Sequence, residues 1–117
     1  MFKVLSTDEN EALIIELTDD LKMENAPEFY DSFQSVLAEK HKKVVVDFRQ
    51  IRFVDSSGVG MLLKCAHALQ ERSGELYIFG LSRSLLSVFK LAGLLKVFHL
   101  LEEPAARADY PELFDIN

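Results

Sequence analysis

The sequence predicts an α/β domain in which helices pack against a mixed sheet of four to five strands. Three observations carry that expectation. Two segments rich in β-formers, "FKVLS" (2–6) and "ALIIELT" (12–18), flank the polar "TDEN" and read as a hairpin. Beyond them, helical and strand patterns alternate, as they do where helices cover a sheet. One strand pattern, "KVVVDF" (43–48), is almost continuously apolar, as in a strand covered on both faces near the centre of a partly parallel sheet. A length of 117 residues with 49% hydrophobic content suits one domain with one core. Residues 1–117 are therefore read as a single domain, with 103–117 as a C-terminal helix or tail.

After the hairpin and "DDLKM", the segment "ENAPEFYDSFQSVLAEK" has Ala26, Phe29, Tyr30, Phe33, Val36 and Leu37 at helical spacing, leaving Glu28, Asp31, Gln34 and Glu39 outward. Asn25 is expected to cap this helix, and Pro27 suits its first turn. Following the central strand, a short apolar run from Ile51 to Val54 leads into "DSSG". Val59, Leu62, Leu63, Ala66 and Leu69 then mark a second helix, ended by Ser73 and Gly74. "ELYIFG" is a strand, and "SRSLLSVFKLAG" is a helix capped by Ser82 and stopped by Gly93. "KVFHL" is a last short strand, and "EEPAARADYPELF" is polar and helix-capable. No internal repeat, low-complexity segment or interdomain linker appears, and the pattern does not fix the strand order.

Charge and cysteine usage exclude several function classes. Thirteen basic against nineteen acidic residues give a net charge of −6, which repels phosphate backbones and anionic lipid, so no nucleic-acid partner is expected. Lys40, Lys42 and Lys43 with His41 read as a solvated helix end. Cys65 is the only cysteine, so no intramolecular disulfide can form and a reducing compartment is the simpler reading. "MFKVLSTDENE" lacks the apolar run of a signal peptide, and no apolar stretch reaches bilayer length. The expectation is a cytoplasmic protein without membrane insertion.

No metal or cofactor is expected either. Cys65 and His67 are two apart on a helix and point roughly 200° away from each other, and no paired Cys or His spacing of a structural zinc site exists. Cys65 reads as a small core or boundary residue, and His41, His67 and His99 as surface or edge groups. "DSSGVG" is not the G-x-S-x-G elbow of a serine hydrolase, and "GVG" lacks the third glycine of a dinucleotide loop. Asp47 and Asp55 lack the acidic metal-binding cluster of a phospho-aspartate receiver. The chain reads as a non-enzyme.

The remaining question is why "DSSG" stands between an apolar segment and an amphipathic helix. Asp, Ser and Gly satisfy free N–H groups and permit tight turns, so capping alone explains most such serines. Yet a helix amino terminus also favours anions, and a phosphoryl group on either serine would add roughly −1.5 to −2 units of charge there. The residues by themselves leave both readings open. Ser57, next to Gly58, is the expected cap, leaving Ser56 free. Gly60, Lys64 and His67 lie off the apolar stripe with Met61 at its edge, and together they form the expected partner-binding face.

The segment from "VVVDFRQIRFVDSSGVG" through "GELYIFG" and "FKLAGLLKVFHL" resembles the STAS domain of bacterial anti-sigma factor antagonists. The likeness extends from the hairpin to about residue 101, and "ENAPEF" at the first helix is also similar. The resemblance implies a STAS-like fold and a phosphorylated serine directly after the aspartate of a D-S-[S/T]-G motif. That places the acceptor at Ser56, with Ser57 the second choice and Asp55, Ser57 and Gly58 completing the motif. It further implies partner switching that regulates transcription. The unphosphorylated protein would bind a serine kinase that is itself an anti-sigma factor, and a serine phosphatase would reset the switch. Where family members often carry a glycine after the second strand, this chain has "LTDDLKM", which bears on the local loop and on part of the partner surface. The alternatives are a STAS subunit of a larger complex, such as a lipid-transport ATPase, with the serines as caps, and a small hydrolase using Ser56.

Overall fold

The computed structural model describes residues 1–7 and 12–115. Strands β1 (Phe2–Thr7) and β2 (Ala12–Leu17) form the expected antiparallel pair, with Phe2 opposite Leu17 and Val4 opposite Ile15. Asp8 to Glu11, the rest of their connection, lie outside the described residues. Then follow α1 (Ala26–Val36), β3 (Lys43–Asp47), α2 (Ser56–Gln70), β4 (Glu75–Phe79), α3 (Arg83–Leu91), β5 (His99–Leu101) and α4 (Glu103–Asp109). The five strands are ordered β1-β2-β3-β4-β5, with β2 to β5 mutually parallel, so the order that the pattern left open is the sequential one.

Alternation along the strands builds two cores. Leu13, Ile15 and Leu17 of β2, Val44 and Val46 of β3, and Leu76 and Ile78 of β4 pack with Phe29 and Phe33 of α1, Leu62 and Leu69 of α2, and Phe89 of α3. On the opposite face, Ala12, Ile14, Val45 and Phe79 pack with Ala106, Tyr110 and Leu113. A strand buried on both faces has no polar side to show, which explains the uninterrupted "VVV". Ser82 caps α3 by accepting from the Leu85 N–H, and Gly93 ends it in the left-handed region at φ 71°, both as expected.

Three expectations need correction. The last strand starts only at His99, because Leu94–Lys96 form a 3-10 turn whose Leu94 carbonyl accepts the Phe98 N–H at 3.0 Å, burying Leu94 and Phe98. The Lys40–Lys43 run is not a helix end, since α1 stops at Val36; Lys43 belongs to β3. His41 is buried at 1% exposure rather than a surface group, because the connection folds its ring inward to accept the Ala38 N–H.

The C-terminal segment is tied to the second face through an ion pair whose carboxylate is buried and whose guanidinium reaches the surface. Asp47, its side chain 1% exposed, accepts from the backbone and guanidinium of Arg49. Arg49 also donates to the Leu113 carbonyl and lies 5.0 Å from the Phe79 ring centre and 5.3 Å from that of Phe114. Truncating Arg49 leaves a buried carboxylate without its cation, a change that costs about 3 kcal/mol. Arg49→Ala should therefore lower the urea midpoint strongly. Asp47→Leu combined with Arg49→Met should recover part of the loss, because no charge is then stranded. A double variant no more stable than Arg49→Ala would contradict this reading of the pair.

Candidate functional site

The serine pair stands where two connections are sewn together at the carboxyl ends of β2 and β3. The β2–α1 connection (18–25) and the β3–α2 connection (48–55) form one parallel bridge, Leu21 to Val54. The Leu21 N–H donates to the Phe53 carbonyl at 3.2 Å, and the Asp55 N–H donates to the Leu21 carbonyl at 3.0 Å. Asp20 Oδ1 accepts the N–H groups of Arg52 at 2.9 Å and Phe53 at 3.3 Å. Contrary to the expectation from sequence, Asn25 does not cap α1 with its side chain. Its Oδ1 accepts from the Lys22 N–H at 2.9 Å and its Nδ2 donates to the Asp20 carbonyl at 2.8 Å. The side chain is thus spent on the loop, which "DDLKMEN" shapes with Asp20 and Asn25.

The cap of α2 is Asp55, not Ser57. Asp55 is the last extended residue (φ −87°, ψ −177°), so its side chain is the one that reaches the free N–H groups of the first turn. Its Oδ1 accepts from the Gly58 N–H at 2.9 Å, and its Oδ2 accepts from the Met23 N–H, also at 2.9 Å. Those bonds, from Gly58 first and then Met23 and Ser57, together with the Lys22 cation, hold the Asp55 carboxyl below its ordinary range against a smaller opposing effect of desolvation. Ser56 is the first helical residue and is exposed; Ser57, the second, is half-buried.

Gly58 is required by close approach. A Cβ built there would lie 2.8 Å from the Leu21 carbonyl oxygen, the Leu21 Cβ and Val54 Cγ1. The first turn of α2 therefore lies directly on the neighbouring connection, and only glycine fits.

On the rest of α2, the buried face is Gly58, Leu62, Cys65, Ala66 and Leu69, with Val59 and Leu63 partly covered. Cys65 sits in the core, where desolvation pushes its thiol up to about 12 and makes it unreactive. Of the residues expected to meet a partner, Lys64 and His67 are exposed, with the Lys64 Nζ 5.4 Å from the Tyr30 ring centre. Gly60 has open space where a side chain would stand, and Met61 is half-buried against the core. Sequence reasoning missed Met23 and Phe53, which are 67% and 51% exposed on the two connections framing Ser56. Met23, a large apolar residue in the mostly polar "TDDLKMEN", was the available signal, whereas Phe53 was hidden within the apolar run Ile51 to Val54. Among the described residues no group of three or more His, Cys, Asp or Glu could hold a metal ion, and no helix is long and apolar enough to cross a membrane.

Comparison with known proteins bears on the family and the fold. The family model described as "Mlab, STAS domain" matches residues 5–102. The chain belongs to the STAS domain family. It is 25% identical over 75 residues to an anti-sigma-B factor antagonist of Listeria monocytogenes, a match that covers 64% of this chain and 66% of that protein. It is also 25% identical over 83 residues to the anti-sigma-B factor antagonist of Staphylococcus aureus, covering 71% and 77%. The anti-sigma factor antagonist SpoIIAA in its unphosphorylated form superposes with a TM-score of 0.76 at 19% identity, covering 100% of both chains. An anti-sigma factor antagonist from Mycobacterium paratuberculosis gives 0.73 at 21% identity, covering 92% of this chain and 93% of that one. The two solved structures share the fold.

The division of labour at the motif is open to measurement. Gly58→Ala should cost about 1–3 kcal/mol, since the added methyl must displace backbone. Ser57→Ala should stay within about half a kcal/mol, and Asp55→Ala should lower the melting temperature more than Ser57→Ala does. Because the folded carboxyl of Asp55 titrates below its ordinary value of 3.8, its contribution is present above that value. It is lost only as pH falls through the lower, folded value. A Ser57→Ala variant less stable than Asp55→Ala would return the cap to the serine.

Proposed function

We propose that this STAS domain is an anti-sigma factor antagonist that works by partner switching in the cytoplasm. With Ser56 free, it docks on a serine kinase that is itself an anti-sigma factor, and the sigma factor is released. Phosphorylation of Ser56 ends the docking, and a serine phosphatase restores it. The names of the curated relatives support this reading, as does one observation above all. Asp55 does the capping, so the exposed hydroxyl of Ser56 has no structural duty at the helix start.

The chemistry of that position suits a phosphate. The amino terminus of α2 presents partial positive charge, so a phosphoryl group can be added without melting the helix. Asp55 already makes the spot acidic, and a doubly charged group there must be desolvated by any surface docked on it. A hundredfold loss of affinity corresponds to about 3 kcal/mol, within reach of burying an imperfectly paired charge. Gly60, Met61, Lys64 and His67 on α2, joined by Met23 and Phe53, form the contact face in this reading. Flexible methionines offer a partner an adaptable apolar surface.

The alternative is that the domain is a STAS subunit of a larger complex, such as a lipid-transport ATPase. Ser56 and Ser57 would then carry no phosphate.

Incubation with ATP and the anti-sigma serine kinase encoded nearest the gene separates the two readings by intact mass. The expected result is one added phosphoryl group, located on Ser56 by tandem mass spectrometry and absent from Ser56→Ala. No phosphorylation, or phosphate on Ser57 alone, would contradict the proposal. With the same kinase, Met23→Asp and Met61→Asp should each weaken binding at least tenfold, about 1.4 kcal/mol, while keeping a native circular dichroism spectrum. Unchanged affinity in both would move the interface elsewhere.

A further inference from the structure

The end of the sheet opposite Ser56 carries a buried histidine that the proposed partner switching leaves without a role. His41, in the α1–β3 connection, is 1% exposed. Its Nδ1 accepts the Ala38 N–H at 2.9 Å, while the His41 N–H donates to the Ala38 carbonyl at 3.0 Å. A ring nitrogen that accepts carries no proton, so the neutral ring holds its proton on Nε2, which is buried without a hydrogen-bond partner.

The surrounding bonds tie this connection to the turn after α2. Arg72 Nη1 donates to the Ala38 carbonyl at 2.8 Å, and Lys42 Nζ donates to the Arg72 carbonyl at 2.9 Å. The Glu75 N–H donates to the Lys42 carbonyl at 2.8 Å. Gly74 lets the two segments meet, since a Cβ there would stand 2.7 Å from the Lys42 oxygen.

A second proton on the ring is incompatible with this arrangement. It would turn Nδ1 from acceptor into donor, facing the Ala38 N–H, and bury a positive charge. The charged groups acting on the ring are Lys40, on its own connection, and Arg72, across the turn; both are cationic. Burial first, then Lys40 and Arg72, hold the His41 imidazole below its ordinary value of 6.5.

We propose that His41 is an acid-sensitive latch joining the α1–β3 connection to the turn after α2, so that mild acid opens this end of the fold while the Ser56 end stays closed. Once the connection opens, the ring reaches water and takes up its proton at the ordinary value. The closed form is therefore fully favoured above 6.5, and that preference is lost as pH falls from 6.5 toward the lower value of the closed ring. Asp55 behaves oppositely. Its carboxylate stays charged through this window, and its bonds to Gly58 and Met23 persist.

Amide hydrogen exchange on the full chain between pH 7.5 and 5.5, expressed as protection factors, tests the latch. Protection at Ala38 and Glu75 should fall, by at most about tenfold one unit below 6.5, while protection at Gly58 and Met23 holds. His41→Asn keeps an acceptor near the place of Nδ1 and cannot gain the proton, so its protection should not vary with pH. Should that variant fail to fold, the ring C–H shifts of wild-type His41 still decide, with a midpoint below 6.5 expected. Protection at Ala38 that is independent of pH in the wild type would overturn the proposal, as would a His41 midpoint at or above 6.5.

Discussion

The Asp55 carboxylate accepts one N–H from the first turn of α2 and another from Met23, thirty-two positions earlier in the chain. The same side chain therefore starts the helix and fixes the connection beside it. The rest of the site follows from that tie. Leu21 is drawn against the helix start closely enough to demand Gly58, and Asp20 and Asn25 are committed to bracing the loop. Ser56 is left exposed on a ledge braced by these bonds. A recognition surface built this way is ordered before any partner arrives, which lowers the entropic cost of binding.

The sheet determines where that ledge can be. Three strands run parallel from β2 to β4 with both faces covered, by helices α1 and α2 on one side and by the C-terminal segment on the other. The connections at the carboxyl ends of the strands remain accessible, where open α/β sheets commonly place their sites. The Asp47–Arg49 pair stands at the same end, so the residues that pin the C-terminal segment also begin the connection leading to Ser56. The opposite end is held by neutral His41 and its neighbours. The two ends of α2 thus depend on opposite charge states: an ionised carboxylate at the start and an uncharged imidazole beyond the finish.

Much of the fold was legible because it rests on periodicity. The apolar run at Val44 to Val46 marked a strand buried on both faces, and Ser82 and Gly93 bounded α3 by their own local chemistry. The site was legible as a motif but not in its internal roles. Asp, Ser and Asn can each accept a backbone N–H, and only the third dimension decides which one does. Met23 lies far from Asp55 in sequence, so nothing local gave Asp55 its second bond or took Asn25 away from α1. His41 was misplaced for the same reason: a histidine among lysines reads as solvated unless the fold of the connection is known.

The central claim is that the ledge is rigid, so phosphorylation changes what Ser56 shows a partner without changing the fold. The most direct measurement compares amide NMR spectra of the chain before and after stoichiometric phosphorylation of Ser56. Shifts confined to the first turn of α2 and the two connections bonded to it are predicted, with the Gly58 and Met23 amides still hydrogen-bonded. Shifts spreading across β3, β4 and the C-terminal segment, or loss of the Asp55 cap, would contradict it.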